Sequence, residues 1–274
     1  MGKEDSMEYE TFRVDRSGQI ATVLFNRPEK LNPINEQVMQ EFLDIARTFQ
    51  ADEETRVVVL TGQGKSFCVG ADMQILSAGS EPSAQAQTSD AARLRLSKTG
   101  WRIMDEWERL DQITIAAVNG FAVGGGVSLA MACDFRIVAS EARMWIPEVR
   151  LGVPYMWGSI TRLINLVGMA KAKELVMTCD ELNAEEALDV GLVNQVVRLD
   201  QLESTARALA QKLIARPPMA LRRTKDFFRA LQMNRSGDIT YADAYLGLSC
   251  FGSEDMREAV SAFREKRDGV YQDR

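Results

Sequence analysis

Residues 119–134 read NGFAVGGGVSLAMACD, three consecutive glycines leading from a buried apolar run into an almost wholly apolar segment. Glycine costs up to about 1 kcal/mol per position relative to alanine in a helix interior. A helix that opens on Gly124, Gly125 and Gly126 therefore has a use for backbone without side chains. The N-terminus of a helix carries unpaired N–H groups and the positive end of the macrodipole. Glycines between a strand and a helix can turn those N–H groups toward a developing negative charge, the geometry of an oxyanion hole. Ser128, about one turn beyond Gly125, faces the same mouth. Tight helix packing is the competing reading and stays open at this point. A second stretch, KSFCVGADM (65–73), follows another buried run and ends in Gly70, Ala71 and Asp72, where a second N–H can point at the same oxygen. Asp72 has a plainer reading as a helix cap.

The pattern around these stretches is α/β. IATVLFN (20–26), which alternates, RVVVLTG (56–62), ITIAAVNG (113–120) and DFRIVAS (134–140) read as strands, the second and third of them buried. Asn35 is placed to cap a helix through about Asp52, with Val38, Met39, Phe42, Leu43 and Ile45 on one face. The small, polar residues 78–92 read as a loop, followed by a helix to about Leu110. Pro217 and Pro218 open another helix, and the tail from about residue 239 is helical, ending in Arg264, Lys266 and Arg267. Strand–strand–helix units fill the first two-thirds of the chain, and the last third is helical.

Composition removes several function classes. The net charge of −6 over 274 residues disfavours nucleic-acid binding, which needs a basic face. No apolar run reaches membrane-spanning length. The opening residues lack the basic-then-apolar shape of a secretory signal, and none of the four cysteines forms a CxxC pair, so a cytoplasmic protein with reduced thiols is expected. The chain has no histidine, which excludes Ser-His-Asp and Cys-His catalysis and any His-ligated metal site. Acid–base work must fall to carboxylates, with Tyr, Lys or Cys in support. The GKS in GQGKSF (62–67) lacks the earlier glycine of a phosphate loop, since that position is Val59. GGGVS does not match the dinucleotide-binding fingerprint either.

LFNRPEKLNP (24–33), GKSFCVGADM (64–73), AAVNGFAVGGGVSLAMACDFRI (116–137), PEVRLGVP (147–154), AEEALDVGLVNQVV (184–197) and FREKR (263–267) occur in this order along the whole chain. Together they resemble the crotonase, or enoyl-CoA hydratase/isomerase, superfamily. The resemblance implies a spiral of ββα units in residues 1–200 and a C-terminal helical trimerisation region in 201–274, assembled as homotrimers or dimers of trimers. It implies an acyl-CoA substrate, with coenzyme A as part of that substrate and no separate cofactor or metal. The thioester oxygen falls to the N–H groups of Ala71 and Gly125. Coenzyme A falls to Lys30, Leu31 and Asn32, to Ala71, Asp72, Met73 and Gln74, and to Lys266 in the basic tail.

Hydratases of this superfamily carry two glutamates. Here one position holds Ser128 and the other Glu148, so the catalytic pair implied is Glu148 with Ser128. Hydration of a 2-enoyl-CoA through an enolate is the first expectation, with Ser128 holding water and Glu148 as acid and base. Double-bond isomerisation by the single carboxylate, thioester hydrolysis or hydroxycinnamoyl-CoA hydratase-lyase chemistry, and a catalytically dead acyl-CoA-binding scaffold are the alternatives. Ser128 also has a plain reading as a helix residue bonded to a preceding carbonyl. Tyr155, Met156 and Trp157 replace a glycine-rich stretch, so Tyr155 and Trp157, with Tyr241 from the tail, are expected at the acyl pocket.

Overall fold

The computed structural model describes residues 5–72, 90–234, 250 and 253–272, with the backbone alone for 90–97 and 233–234. The expected site residues Met73, Gln74 and Tyr241, and most of the expected 78–92 loop, lie outside the described residues.

Two sheets form. Strands β1 (Asp5–Glu8), β2 (Phe12–Ser17) and β3 (Ile20–Phe25) run antiparallel to one another. The large sheet then continues in parallel through β4 (Val57–Gly62), β6 (Ile113–Val118), β8 (Phe135–Ala139) and β11 (Gln195–Val197). Strands β4 and β6 are apolar and buried along almost their whole length, as expected for parallel strands covered on both faces. A smaller sheet is built from β5 (Ser66–Cys68), β7 (Phe121–Val123) and β9 (Arg143–Trp145), all parallel, with β10 (Leu182–Asn183) antiparallel at its edge.

The helices are α1 (Glu36–Gln50), α2 (Asp90–Glu108), α3 (Gly125–Met131), α4 (Ser159–Thr178), α5 (Ala184–Asp189), α6 (Leu202–Ile214), α7 (Pro218–Asn234) and α8 (Glu254–Glu265). Asn35 caps α1 by accepting the Val38 N–H at 2.9 Å, as its sequence context predicts. The order β4–β5–α2, β6–β7–α3, β8–β9–α4 repeats one pattern: a strand in the large sheet, a short strand in the small sheet, then a helix. This is the expected ββα spiral. Because β5, β7 and β9 are parallel neighbours, the three chain segments that leave them emerge at one edge of the small sheet. That edge is where an open parallel sheet binds ligands.

An aromatic cluster fixes α1 and α2 over the sheets. Trp107 of α2 meets Phe42 of α1 at 4.6 Å between ring centroids, and Phe12 and Phe25 extend the stack. Helix α6 buries Leu202, Ala206, Ala210 and Leu213 in the same core. Arg56, just before β4, ties its end by donating to the carbonyls of Ile214 and Arg216, each at 2.7 Å. Helix α7 leaves Met219, Phe227, Phe228 and Leu231 exposed. No helix among the described residues is long and apolar enough to cross a membrane.

Candidate active site

Each turn of the spiral delivers one group to the shared edge. After β5, Ala71 forms a parallel bridge with Ile34. Ile34 N–H donates to the Gly70 carbonyl at 2.7 Å and Asp72 N–H donates to the Ile34 carbonyl at 2.9 Å. In extended backbone successive N–H groups alternate sides, so the Ala71 N–H points away from Ile34. After β7, Gly124 N–H donates to the Trp145 carbonyl at 2.8 Å. Gly125 is the first residue of α3, where a helix N–H has no intrahelical acceptor. A Cβ at Gly70 would stand 3.1 Å from the Gly125 nitrogen, so the two segments are in direct contact. After β9 comes Glu148.

The three glycines do three different jobs. A Cβ at Gly124 would lie 2.4 Å from Glu148 Oε1, so its absence makes room for the carboxyl. At Gly125 it would lie 2.5 Å from Trp157 Cζ3 and 3.1 Å from Ile34 Cδ1. At Gly126 it would lie 2.0 Å from the Cys68 carbonyl oxygen, so this glycine lets α3 seat against β5. Close packing and the bared N–H are therefore both present, at different glycines. Gly124 also has φ +51°, a region that favours glycine.

The groups line a cleft of about 530 Å³. Lys30 stands exposed on it, Ala71, Gly125, Ser128 and Glu148 face it, and Leu151, Val153, Tyr155, Trp157 and Phe263 make apolar wall. Glu148 is half-buried as a residue, but its Oε2 is closed off from solvent. Burial pushes its carboxyl up to about 8, against a smaller opposing pull from its own backbone N–H. Its Oε2 has no hydrogen-bond partner among the described residues. With Oε2 buried and unpartnered, the carboxyl is pushed toward its neutral form, the form that carries a proton to give.

Ser128, 1% exposed, joins a cluster of buried hydroxyls. Its Oγ donates to Tyr155 Oη at 2.9 Å, lies 2.7 Å from Ser159 Oγ, and reaches the Gly124 carbonyl at 3.3 Å. The contact with the carbonyl four residues back is the plain helix reading; the contacts with Tyr155 and Ser159 go beyond it. Burial, then the neighbouring Glu148 carboxyl, raises the Tyr155 phenol far above its ordinary value, so it stays neutral. Tyr155 thus lines the cleft as expected, but its hydroxyl serves Ser128.

The remaining expected residues divide. Lys30 lies on the cleft, and Leu31 beside it is exposed with φ 66°. Asn32 is 1% exposed, and its side chain is spent inside the loop: it accepts from Arg27 N–H and donates to the carbonyls of Gln63 and Ser66. Asp72 lines the cleft. Lys266 is the exposed, left-handed C-cap of α8. Phe263, which stacks on Trp145 at 6.2 Å, and Ser159 escaped the sequence reading; neither sits in a spacing that marks a site.

Residues 15–274 match the family model described as enoyl-CoA hydratase/isomerase. The chain is 36% identical over 263 residues to a short-chain-enoyl-CoA hydratase of Clostridium acetobutylicum, covering 95% of this chain and 97% of that protein. It is 35% identical over 272 residues to a crotonyl-CoA hydratase of Syntrophomonas wolfei, with the same coverage. Among solved structures, an enoyl-CoA hydratase from Bacillus anthracis superposes with a TM-score of 0.74 at 32% identity, over 96% of this chain and 99% of that one.

Proposed function

This chain belongs to the enoyl-CoA hydratase/isomerase family, and on that premise we propose that it hydrates a 2-enoyl-CoA through an enolate. The observation that carries the reading is the meeting of Glu148, whose Oε2 is buried with no partner among the described residues, with the outward N–H groups of Ala71 and Gly125 at one edge of the small sheet. The thioester oxygen accepts from both N–H groups. As water attacks C3, the C2–C3 π electrons move toward that oxygen, and the two donors hold the developing charge. Glu148 gives its proton to C2 and takes back a proton from the attacking water. One carboxyl therefore closes the cycle, with H added at C2, OH at C3 and Glu148 again protonated. Ser128, oriented by Tyr155 and Ser159, holds the water.

Lys30 and the neighbouring backbone at Leu31 and Asn32, with Asp72, accept the coenzyme A portion, and Lys266 reaches its phosphates. Coenzyme A enters as part of the substrate and no other cofactor takes part. The exposed apolar residues of α7 support assembly of copies into trimers, and the free cysteines suit a reducing, cytoplasmic setting.

Isomerisation is the second reading, and one observation favours it: Ser128 already has three oxygen neighbours from the protein. A serine so engaged has little capacity left for a water, whereas a lone carboxyl suffices to move a proton from C2 to C4. Incubation with crotonyl-CoA and 3-hexenoyl-CoA in deuterated water separates the two. A 3-hydroxyacyl product carrying deuterium at C2 supports hydration. A shifted double bond with deuterium at C2 or C4 and no added oxygen establishes isomerisation instead.

A further inference from the structure

Trp157 is held in an unusual way. Its φ is 65°, a left-handed backbone that a bulky residue adopts only when its surroundings impose it. The surroundings are visible. Arg162 Nη1 donates to the Trp157 carbonyl at 2.9 Å. The same guanidinium is locked to Glu108, at the end of α2, through Nε at 2.7 Å and Nη2 at 2.6 Å. This ion pair is largely buried and bidentate, the geometry that fixes orientation best.

The indole is gripped as firmly as the backbone. A Cβ at Gly100 of α2 would lie 2.0 Å from Trp157 Nε1 and 2.1 Å from Cε2. A Cβ at Gly125 of α3 would lie 2.5 Å from Cζ3. The ring therefore rests on bare backbone at both ends, its pyrrole side against α2 and its benzo edge over the residue whose N–H faces the cleft. Its Nε1 edge and its benzo edge together span the gap between the two helices. Tyr155, 1% exposed, lines the same cleft.

We propose that Trp157, wedged between Gly100 and Gly125, limits the length of the acyl group, so that the site takes short-chain thioesters and rejects long ones. The proposal rests on the hydratase reading for where the thioester oxygen sits. With that oxygen on the Ala71 and Gly125 N–H groups, the acyl chain begins beside the indole. A tail continued beyond C4 meets the ring, and the ring has no room to swing because both of its seats are backbone. With glycine at both contacts, neither seat carries a side chain that would take the indole's place once it is removed.

The test is a chain-length series of trans-2-enoyl-CoAs from C4 to C10, run on the wild type and on Trp157→Gly, which deletes the ring and suits the left-handed backbone. Affinities for saturated butyryl-CoA and decanoyl-CoA are measured by calorimetry on the same proteins. The wild type is expected to favour C4 over C10 in kcat/KM by about 100-fold or more, and the variant to bring that ratio below about tenfold. The saturated thioesters are expected to show the same change in affinity. A wild type that handles C10 within tenfold of C4 overturns the proposal. So does a folded variant that keeps the full discrimination. Should the variant not fold, the wild-type chain-length profile and affinities still decide, with Trp157→Ala as the replacement. If no chain length is hydrated, the hydratase reading fails, while the saturated-thioester affinities continue to judge Trp157 by themselves.

Discussion

Glu41 and Glu148 are both glutamates withdrawn from solvent, and the fold treats them in opposite ways. Glu41 on α1 accepts from the backbone N–H groups of Glu10 and Thr11, from the Thr11 hydroxyl and from Gln37 Nε2. Burial pushes its carboxyl up, but these hydrogen bonds outweigh burial and hold it below the ordinary range. At Glu148 only its own backbone N–H opposes desolvation, Oε2 has no partner among the described residues, and the carboxyl rises to about 8. One carboxylate is a joint that ties the start of β2 to α1. The other is left unsatisfied, at a cost to stability, in the place where a proton must move. The two carboxyls differ both in how deeply the surrounding protein desolvates them and in how many donors meet them, and together these move the two in opposite directions.

The largest effect should come from Glu148→Gln, which keeps shape and removes the proton. Crotonyl-CoA turnover is expected to fall about 1,000-fold, with saturated acyl-CoA affinity within a few fold of wild type. Retained turnover would break the assignment of Glu148 as the reactive member. Glu41→Ala should do the reverse. It orphans donors from Glu10 and Thr11, and chemical denaturation should show a loss of about 3 kcal/mol with kcat per folded molecule preserved.

A smaller effect comes from pH. The folded-state value of Glu148 lies above the unfolded one, so the protonated form is the one the fold favours. The stability this group contributes is full below about pH 4.5 and is lost as pH rises toward 8. Between pH 6 and pH 8 the difference in stability between Glu148→Gln and wild type should move in the variant's favour by about 2 kcal/mol. Wild-type kcat/KM should also fall as pH passes about 8, where the proton donor is lost. Thermal melts and a pH–rate profile check both limbs. The smallest effect is at Tyr155→Phe. Losing the hydroxyl that meets Ser128 at 2.9 Å should lower kcat by about fivefold with KM nearly constant, the cost of one neutral hydrogen bond.

Much of this site is legible before folding. The glycine stretches stand out by their backbone demands, whereas Ala71, Gly125 and Glu148 are singled out by the stretches that resemble the family. The long apolar strands β4 and β6 are equally plain. The short strands β5, β7 and β9 are not, because three residues carry too little alternation to register as a period. Their pairing is what gathers the site. The hydroxyl cluster is hidden for another reason: Ser128, Tyr155 and Ser159 meet only after α3 and α4 have packed. Trp157 is legible as a bulky residue near the pocket, but its seat on Gly100 is a tertiary fact with no local trace. The glycine triplet shows the limit most clearly. The motif admits two readings, bared N–H groups or close packing, and the structure divides the packing among a carboxyl, an indole and a strand carbonyl.

The delivery of one reactive segment by each turn of the spiral has a consequence for how such a molecule can change. The proposed oxyanion donors come from the turns ending at β5 and β7, and the proposed proton donor from the turn ending at β9. Each is carried by its own short excursion from a shared sheet edge. An insertion, deletion or substitution in one excursion can exchange one chemical part without re-registering the other two. The scaffold is in that sense modular, and its reactions can be rewritten one turn at a time.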